Sequence, residues 1–222
     1  MNLLTSDQLP ADFLSSVRAR VRADEQEAAW RQARLGKITA SCFGKVKPGT
    51  ETARTYLFEL LAEHLAGEPF DNFGGSRATD WGKEFEPHAL ELYAKHLAAT
   101  GQPALQPGRF FAAEGFELVG GTPDGLVGDV GAVEAKCPYT PKNHIRTLIT
   151  GEVPDEYRDQ VDGHLLTTGR AWCDFISYDP RMPEPHHLKI VRVMRDENRI
   201  AVLRARLETF EAELLAALQN LA

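Results

Sequence analysis

The sequence predicts one domain of the α/β or α+β class. Three observations predict it. The chain has 222 residues, the length of one large domain with a real core. Its apolar residues recur at helical spacing over long stretches and in strand-like runs over short ones. The strand-like runs gather between residues 109 and 136 and between 171 and 194, with helical patterns before, between and after them. At 43% hydrophobic and 26% charged residues the composition is that of an ordinary globular protein, which excludes a disordered chain. No apolar run approaches the roughly 18 residues of a membrane span. The first residues lack the charged and apolar regions of a signal peptide, so a cytoplasmic protein is expected. Cys42, Cys137 and Cys173 are odd in number and far apart, and are expected to be reduced. Cys137 follows Lys136 and is either a reactive thiol or a packed strand residue.

Along the chain, residues 11 to 34 place Phe13, Leu14, Val17 and Val21 on one helical stripe, with a break near Asp24. Gly36 ends that helix, and Thr39 or Ser41, both good N-cap residues, starts a new element. Ser41 beside Arg34 and Lys37 is either a simple cap or a cradle for a phosphate. Residues 46 to 52, with Pro48-Gly49, form a loop, and residues 53 to 66 a helix stopped by Gly67. Residues 68 to 77, with Gly74-Gly75, form a second loop. Loops of this kind beside a basic segment either embrace DNA or connect helices.

A long helix is predicted from residue 80 to about 98. Glu84, His88, Glu91 and Lys95 mark its solvent stripe. Glu86 instead shares a stripe with Leu90, Tyr93 and Leu97, on the face that ought to be buried. A buried acid is costly unless it is paired or bound to a cation, so Glu86 needs either an arginine or a metal. Residues 109 to 113 and 116 to 119 read as strands, three or four adjacent antiparallel ones with the segment that follows. Thr140-Pro141 opens a helix running to about 150, and Pro154 opens another running to 168. On the second, Tyr157, Gln160, Val161, His164 and Leu165 share one mostly apolar face. His164 there is either a hydrogen-bonded core residue or, with Gln160, a residue that looks toward a site. Strands follow at 171 to 178 and 187 to 194, with His186-His187 as a strand entry. Residues 198 to 221 form a final helix with a 3-4 apolar spacing, packed on the sheet rather than free as a coiled coil.

The chemistry concentrates in Pro123-Asp124, nine residues, then Glu134-Ala135-Lys136. Leu126-Val127 and Ala132-Val133, joined by a Gly/Asp turn at 128 to 131, form a hairpin. Side chains alternate along a strand, so Glu134 and Lys136 point one way and Ala135 the other. Asp124 faces Glu134 across the hairpin. Two carboxylates and an ammonium converging at a sheet edge suit Mg²⁺ with a charge partner for a scissile phosphate. The competing reading is a surface hairpin with a cross-strand salt bridge, but the Pro-Asp at hairpin distance favours the site. Glu86 then becomes its third carboxylate. The net charge of −7 argues against a polyanionic partner, yet residues 31 to 54 carry six basic residues and one acid. An acidic body with one basic segment is either an incidental solvated face or the charge pattern of an enzyme that funnels a polyanion to one spot.

Seven stretches resemble, in order, the lambda-exonuclease family of phage recombination nucleases, a viral-recombinase branch of the PD-(D/E)xK superfamily. They are Trp30, RLGKITAS (34 to 41), WGKEFE (81 to 86), TPDGL (122 to 126), EAKCPYT (134 to 140), YRDQV (157 to 161) and YDPRM (178 to 182). The resemblance implies a PD-(D/E)xK nuclease fold, a central mixed β-sheet flanked by helices. It implies a 5′-to-3′ exonuclease on double-stranded DNA that releases mononucleotides and leaves a 3′ single-stranded tail. It further implies a ring-shaped homotrimer, a single-strand annealing partner and a phage or prophage origin in a bacterial host. Glu86, Asp124, Glu134 and the Ala135 carbonyl correspond to ligands of two Mg²⁺ ions, for which Mn²⁺ can substitute. Lys136 corresponds to the residue that positions and helps activate the attacking water, and Gln160 to one on the active-site helix. Arg34, Ser41 and Thr122 match a pocket for the 5′-phosphate, with Lys142 where the family has a further arginine. Thr79 stands where the family has a larger apolar residue. An endonuclease on the same fold and a catalytically silent DNA-binding subunit are the alternatives.

Overall fold

The computed structural model describes residue 29, residues 31 to 69 and residues 76 to 221. The part of the expected 11–34 helix before residue 29, Trp30 and the Gly74-Gly75 part of the second loop lie outside the described residues, and residues 31 to 34 are helical as expected. Strand β1 (Ile38–Thr39) leads into a 3-10 helix (Ala40–Lys45). Helices α1 (Glu51–Ala66) and α2 (Arg77–Ala99) follow. Then come β2 (Leu105–Pro107), β3 (Phe111–Ala112), β4 (Val119–Gly121), β5 (Gly125–Val127) and β6 (Gly131–Lys136). Helices α3 (Pro141–Thr150) and α4 (Asp155–Thr168) precede β7 (Trp172–Tyr178), β8 (Leu188–Met194) and α5 (Glu197–Leu221). Among the described residues no helix is long and apolar enough to cross a membrane.

The strands form two sheets, where the sequence predicted one antiparallel run. The larger has the order β2-β5-β6-β7-β8, with β6 and β7 parallel and the other pairs antiparallel. The parallel pair requires a long crossover, which α3 and α4 supply. Because β2 pairs with β5, the β5–β6 hairpin lies inside the sheet, not at its edge. The smaller sheet has the order β1-β4-β3, with β1 parallel to β4. Neither β1 nor β2 is legible as a strand, since two or three residues give no period to read.

Two apolar cores lie on opposite faces of the larger sheet. Ala132 and Phe175 face a core shared with the 3-10 helix, α1, α4 and α5. Val133, Ala135 and Ile176 face a second core with Tyr93 and Leu97 of α2. Each fully buried Leu, Ile or Phe contributes about 1.5–3 kcal/mol, so both faces are firmly covered. On α2 the expected solvent stripe of Glu84, His88, Glu91 and Lys95 is exposed. The helix starts earlier than expected because Ser76 caps it, its hydroxyl accepting from Thr79 N at 3.2 Å. The final helix buries its apolar stripe, as expected, in the core that Ala132, Cys173, Phe175 and Val193 of the larger sheet share with α1 and α4, and Glu211 on it accepts from the backbone N–H groups of Glu117 and Leu118 at 3.0 and 2.6 Å.

Candidate active site

Hairpin register places the first carboxylate. Gly125 pairs with Val133, so the preceding Asp124 stands beside the Glu134 position. Asp124 N–H donates to the Val133 carbonyl at 2.9 Å, and Asp124 Oδ2 accepts from Ala135 N–H at 2.7 Å. Those two bonds fix its carboxylate against β6. Strand alternation sends Glu134 and Lys136 toward α4, as the sequence predicts, and Ala135 into the core beneath α2. Lys136 Nζ lies 2.5 Å from Glu134 Oε1 and 5.2 Å above the Tyr157 ring. His164 Nε2 lies 2.6 Å from Glu134 Oε2.

The charges are strongly coupled. Burial works to raise the pKa of Glu134, but Lys136 and His164 outweigh it and hold the carboxyl below its ordinary range. Asp124 is pushed well above the ordinary aspartate range, by burial first and then by Glu134 and Glu86. Glu86 is raised by burial and by Glu134. Burial alone would lower Lys136, yet Glu134 and Asp124 hold it above the ordinary lysine range. Beside these carboxylates Lys136 is held in its charged form. Cys137 is packed in the second core, and its thiol is pushed up to about 12 by burial and by Glu86 and Asp124.

A cleft of about 380 Å³ joins these groups to a second set. Glu86, Asp124, Glu134 and Lys136 line it together with Arg34, Ser41, Thr122 and Gln160. The small sheet makes this possible, because β1 alongside β4 carries residues 34 to 41 up to Thr122. Arg34 Nη2 lies 3.4 Å from Ser41 Oγ and 3.5 Å from Thr39 Oγ1, and the two hydroxyls are 3.3 Å apart. Thr39 precedes the 3-10 helix, but its side chain makes no cap bond there. The two hydroxyls serve Arg34 instead. Thr122 Oγ1 is buried without a hydrogen-bond partner in the protein. Lys142 is not brought into this cleft. It is exposed at the start of α3 and does not line the space shared by Arg34, Ser41 and Thr122.

Of the two readings open for His164, the structure combines both: it is buried in the core and bonded to Glu134. Its Nδ1 has no partner, consistent with the Nε2–H tautomer donating to the carboxylate. Two glycines carry no such signal in the sequence. Gly163, one residue earlier, lets α4 approach the 3-10 helix, since a Cβ there would stand 2.5 Å from the Phe43 ring. Gly108 lines the cleft where a Cβ would collide with the Pro123 carbonyl at 1.7 Å.

The donor set of Glu86, Asp124, Glu134 and a backbone carbonyl is all oxygen, which suits a hard divalent cation. Three mutually repelling carboxylates against one ammonium leave an excess of negative charge for such a cation to neutralise. Among the described residues no three His, Cys, Asp or Glu side chains already enclose a metal position, and both oxygens of Glu134 are engaged by Lys136 and His164.

A mixed sheet flanked by helices, with Asp124 and Glu134-Ala135-Lys136 on one hairpin, defines a nuclease of the PD-(D/E)xK type. Within that class the chain belongs to the YqaJ-like viral recombinase domain family, whose model matches residues 29–171. It is similar to the alkaline exonuclease LHK-Exo from Laribacter hongkongensis, with 36% identity, a TM-score of 0.78 and coverage of 87% of this chain and 95% of that one. The crystal structure of LHK-Exo in complex with dAMP matches with a TM-score of 0.79 over the same shares. A phage-related exonuclease from Haemophilus somnus 129PT shares the fold, with a TM-score of 0.62 at 16% identity, covering 84% of this chain and 96% of that one. A comparison with curated protein sequences gave no match.

Proposed function

We propose that this nuclease is a Mg²⁺-dependent 5′-to-3′ exonuclease on linear double-stranded DNA, releasing mononucleotides and leaving 3′ single-stranded tails. One observation carries the reading. A single cleft is lined both by the carboxylates and Lys136 and by Arg34, Ser41 and an unpartnered Thr122 hydroxyl. A phosphate gripped at the second set fixes the distance to the bond that is cut, so that one nucleotide is removed at a time. The dAMP bound to the similar LHK-Exo agrees with a mononucleotide-sized site.

Glu86, Asp124, Glu134 and the Ala135 carbonyl would hold two Mg²⁺ ions, or Mn²⁺ in their place. When bound, these ions supply an acidified water and stabilise the leaving 3′-oxygen of an in-line displacement. Lys136 holds a fixed positive charge beside the scissile phosphate and orients the attacking water through a hydrogen bond. His164 and Lys136 orient Glu134 from opposite sides. Gln160 offers its amide to the same cleft. Arg34 and the hydroxyls of Ser41 and Thr122 bind the 5′-phosphate, a charge-assisted contact that favours phosphorylated ends.

The reading extends to a ring-shaped homotrimer in the host cytoplasm, working with a single-strand annealing protein. Incubation of linear and covalently closed duplex, with and without Mg²⁺ and a 5′-phosphate, tests it. Digestion only of the linear, 5′-phosphorylated duplex in Mg²⁺ is expected. Cutting of the closed circle would make the protein an endonuclease, and digestion from 3′ ends would reverse the polarity.

A further inference from the structure

We propose that a second cleft, walled by Tyr139, Tyr157 and Lys83, receives the nucleobase just beyond the scissile phosphate, with Tyr139 as its stacking platform. The proposal rests on the nuclease reading above. This cleft, of about 460 Å³, shares Glu86 and Lys136 with the first one. Arg34, Ser41 and Thr122 line only the first, while Tyr139, Tyr157 and Lys83 line only the second. A strand whose 5′-phosphate sits at Arg34 and whose first linkage lies over Glu86 and Lys136 therefore continues into the second cleft.

Tyr139 is 43% exposed, yet it is firmly held. Its ring stands edge-on to Trp81 with centroids 6.0 Å apart, and the Arg181 guanidinium covers the Trp81 ring at 4.3 Å. Arg181 donates to the carbonyls of Pro138 and Tyr139 at 3.2 and 3.0 Å. Buried Asp179 locks Arg181 in turn, with Nε and Nη2 each 2.8 Å from a carboxylate oxygen. The YDPRM stretch thus clamps the turn after β6 through its backbone and leaves the Tyr139 ring open beside the cleft. An exposed aromatic fixed next to a lysine is the arrangement that stacks a base of any identity while the ammonium follows the backbone. Sequence-tolerant stacking is what an enzyme removing successive nucleotides needs.

The test uses the full chain with Ca²⁺ in place of Mg²⁺, a cation that neutralises the carboxylates and supports binding without cutting. A 5′-phosphorylated duplex carries photoreactive 5-iodouracil as its second nucleotide, or in a parallel sample opposite that position. On irradiation the wild type is expected to crosslink through Tyr139, mapped by mass spectrometry, only when the probe is in the 5′ strand. Tyr139→Phe should retain the crosslink, whereas Tyr139→Ala should lose it and bind the duplex roughly tenfold more weakly, the size of one base–aromatic stack. Binding without a crosslink at Tyr139, or a crosslink only from the opposite strand, would overturn this proposal alone. The wild-type arms decide the matter even if Tyr139→Ala fails to fold. Failure of the wild type to bind the duplex at all would overturn the nuclease reading, and this proposal with it.

Discussion

His164 Nε2 stands 2.6 Å from Glu134 Oε2, and both side chains are buried. Since Lys136 takes the other oxygen of the same carboxylate, the histidine fixes the plane in which Glu134 is presented. His164→Ala would leave that carboxylate with one partner and a cavity beside it. Losing a hydrogen bond to a charged group costs about 1.5–3 kcal/mol, and the cavity left by the ring adds to it. The expected result is a thermal midpoint lower by roughly 5–10 °C and a fall in kcat larger than any change in KM. Calorimetry and single-turnover hydrolysis measure both. An unchanged midpoint together with an unchanged rate would reduce His164 to core filling.

In the proposed reaction Lys136 and Asp124 serve the chemistry rather than the fold. Lys136→Ala and Asp124→Ala are each expected to slow digestion of linear duplex at least ~100-fold, the usual worth of one positioned proton-handling or charge-handling group. The far-ultraviolet circular dichroism should stay that of the parent. Full activity in either variant would remove these residues from the mechanism.

The same electrostatics predict a trade between activity and stability. Asp124 is raised well above the ordinary aspartate range by burial, Glu134 and Glu86, so its ionised form destabilises the metal-free fold. The sign follows from linkage. The penalty is absent below the unfolded aspartate range near pH 4 and grows as pH rises through the folded value. Asp124→Asn removes the charge and keeps an oxygen for Ala135 N–H. The metal-free variant should therefore melt higher than the parent at neutral pH, by roughly 2–4 °C per kcal/mol regained, and no higher near pH 4. Melting curves in EDTA at both pH values measure this. A lower midpoint at neutral pH would contradict the assigned repulsion.

The hairpin was legible because period-two alternation and a Gly/Asp turn are local signals, and β5 and β6 pair in the register they predict. Glu86 was legible for a related reason, since a carboxylate on the stripe of Tyr93 and Leu97 conflicts with burial. Residue spacing could not reveal β1 or β2, whose two or three residues become strands only because Val119 and Val127 offer partners far along the chain. His164 was ambiguous for a physical reason. A buried histidine looks the same in sequence whether it fills the core or orients a carboxylate, and only the 2.6 Å contact decides. Lys142 shows the converse limit. A lysine standing where the family has an arginine carries the charge, but here it lies exposed on α3, outside the cleft.

Arg34 provides the sharpest test of how the substrate end is held. Burial lowers its pKa somewhat, yet it stays a cation, with Ser41 Oγ at 3.4 Å and the unpartnered Thr122 hydroxyl in the same cleft. A hydrogen bond to a charged group contributes about 1.5–3 kcal/mol, so Arg34→Ala should lose about 10- to 100-fold in kcat/KM on 5′-phosphorylated ends. Ends bearing a 5′-hydroxyl have no such contact to lose and should change little. The ratio of the two rates in parent and variant is the measurement. Because both substrates pass through the same carboxylates and Lys136, a general disturbance of the active site would slow them alike. Only a role at the terminal phosphate separates them, and equal losses on both ends would exclude that role.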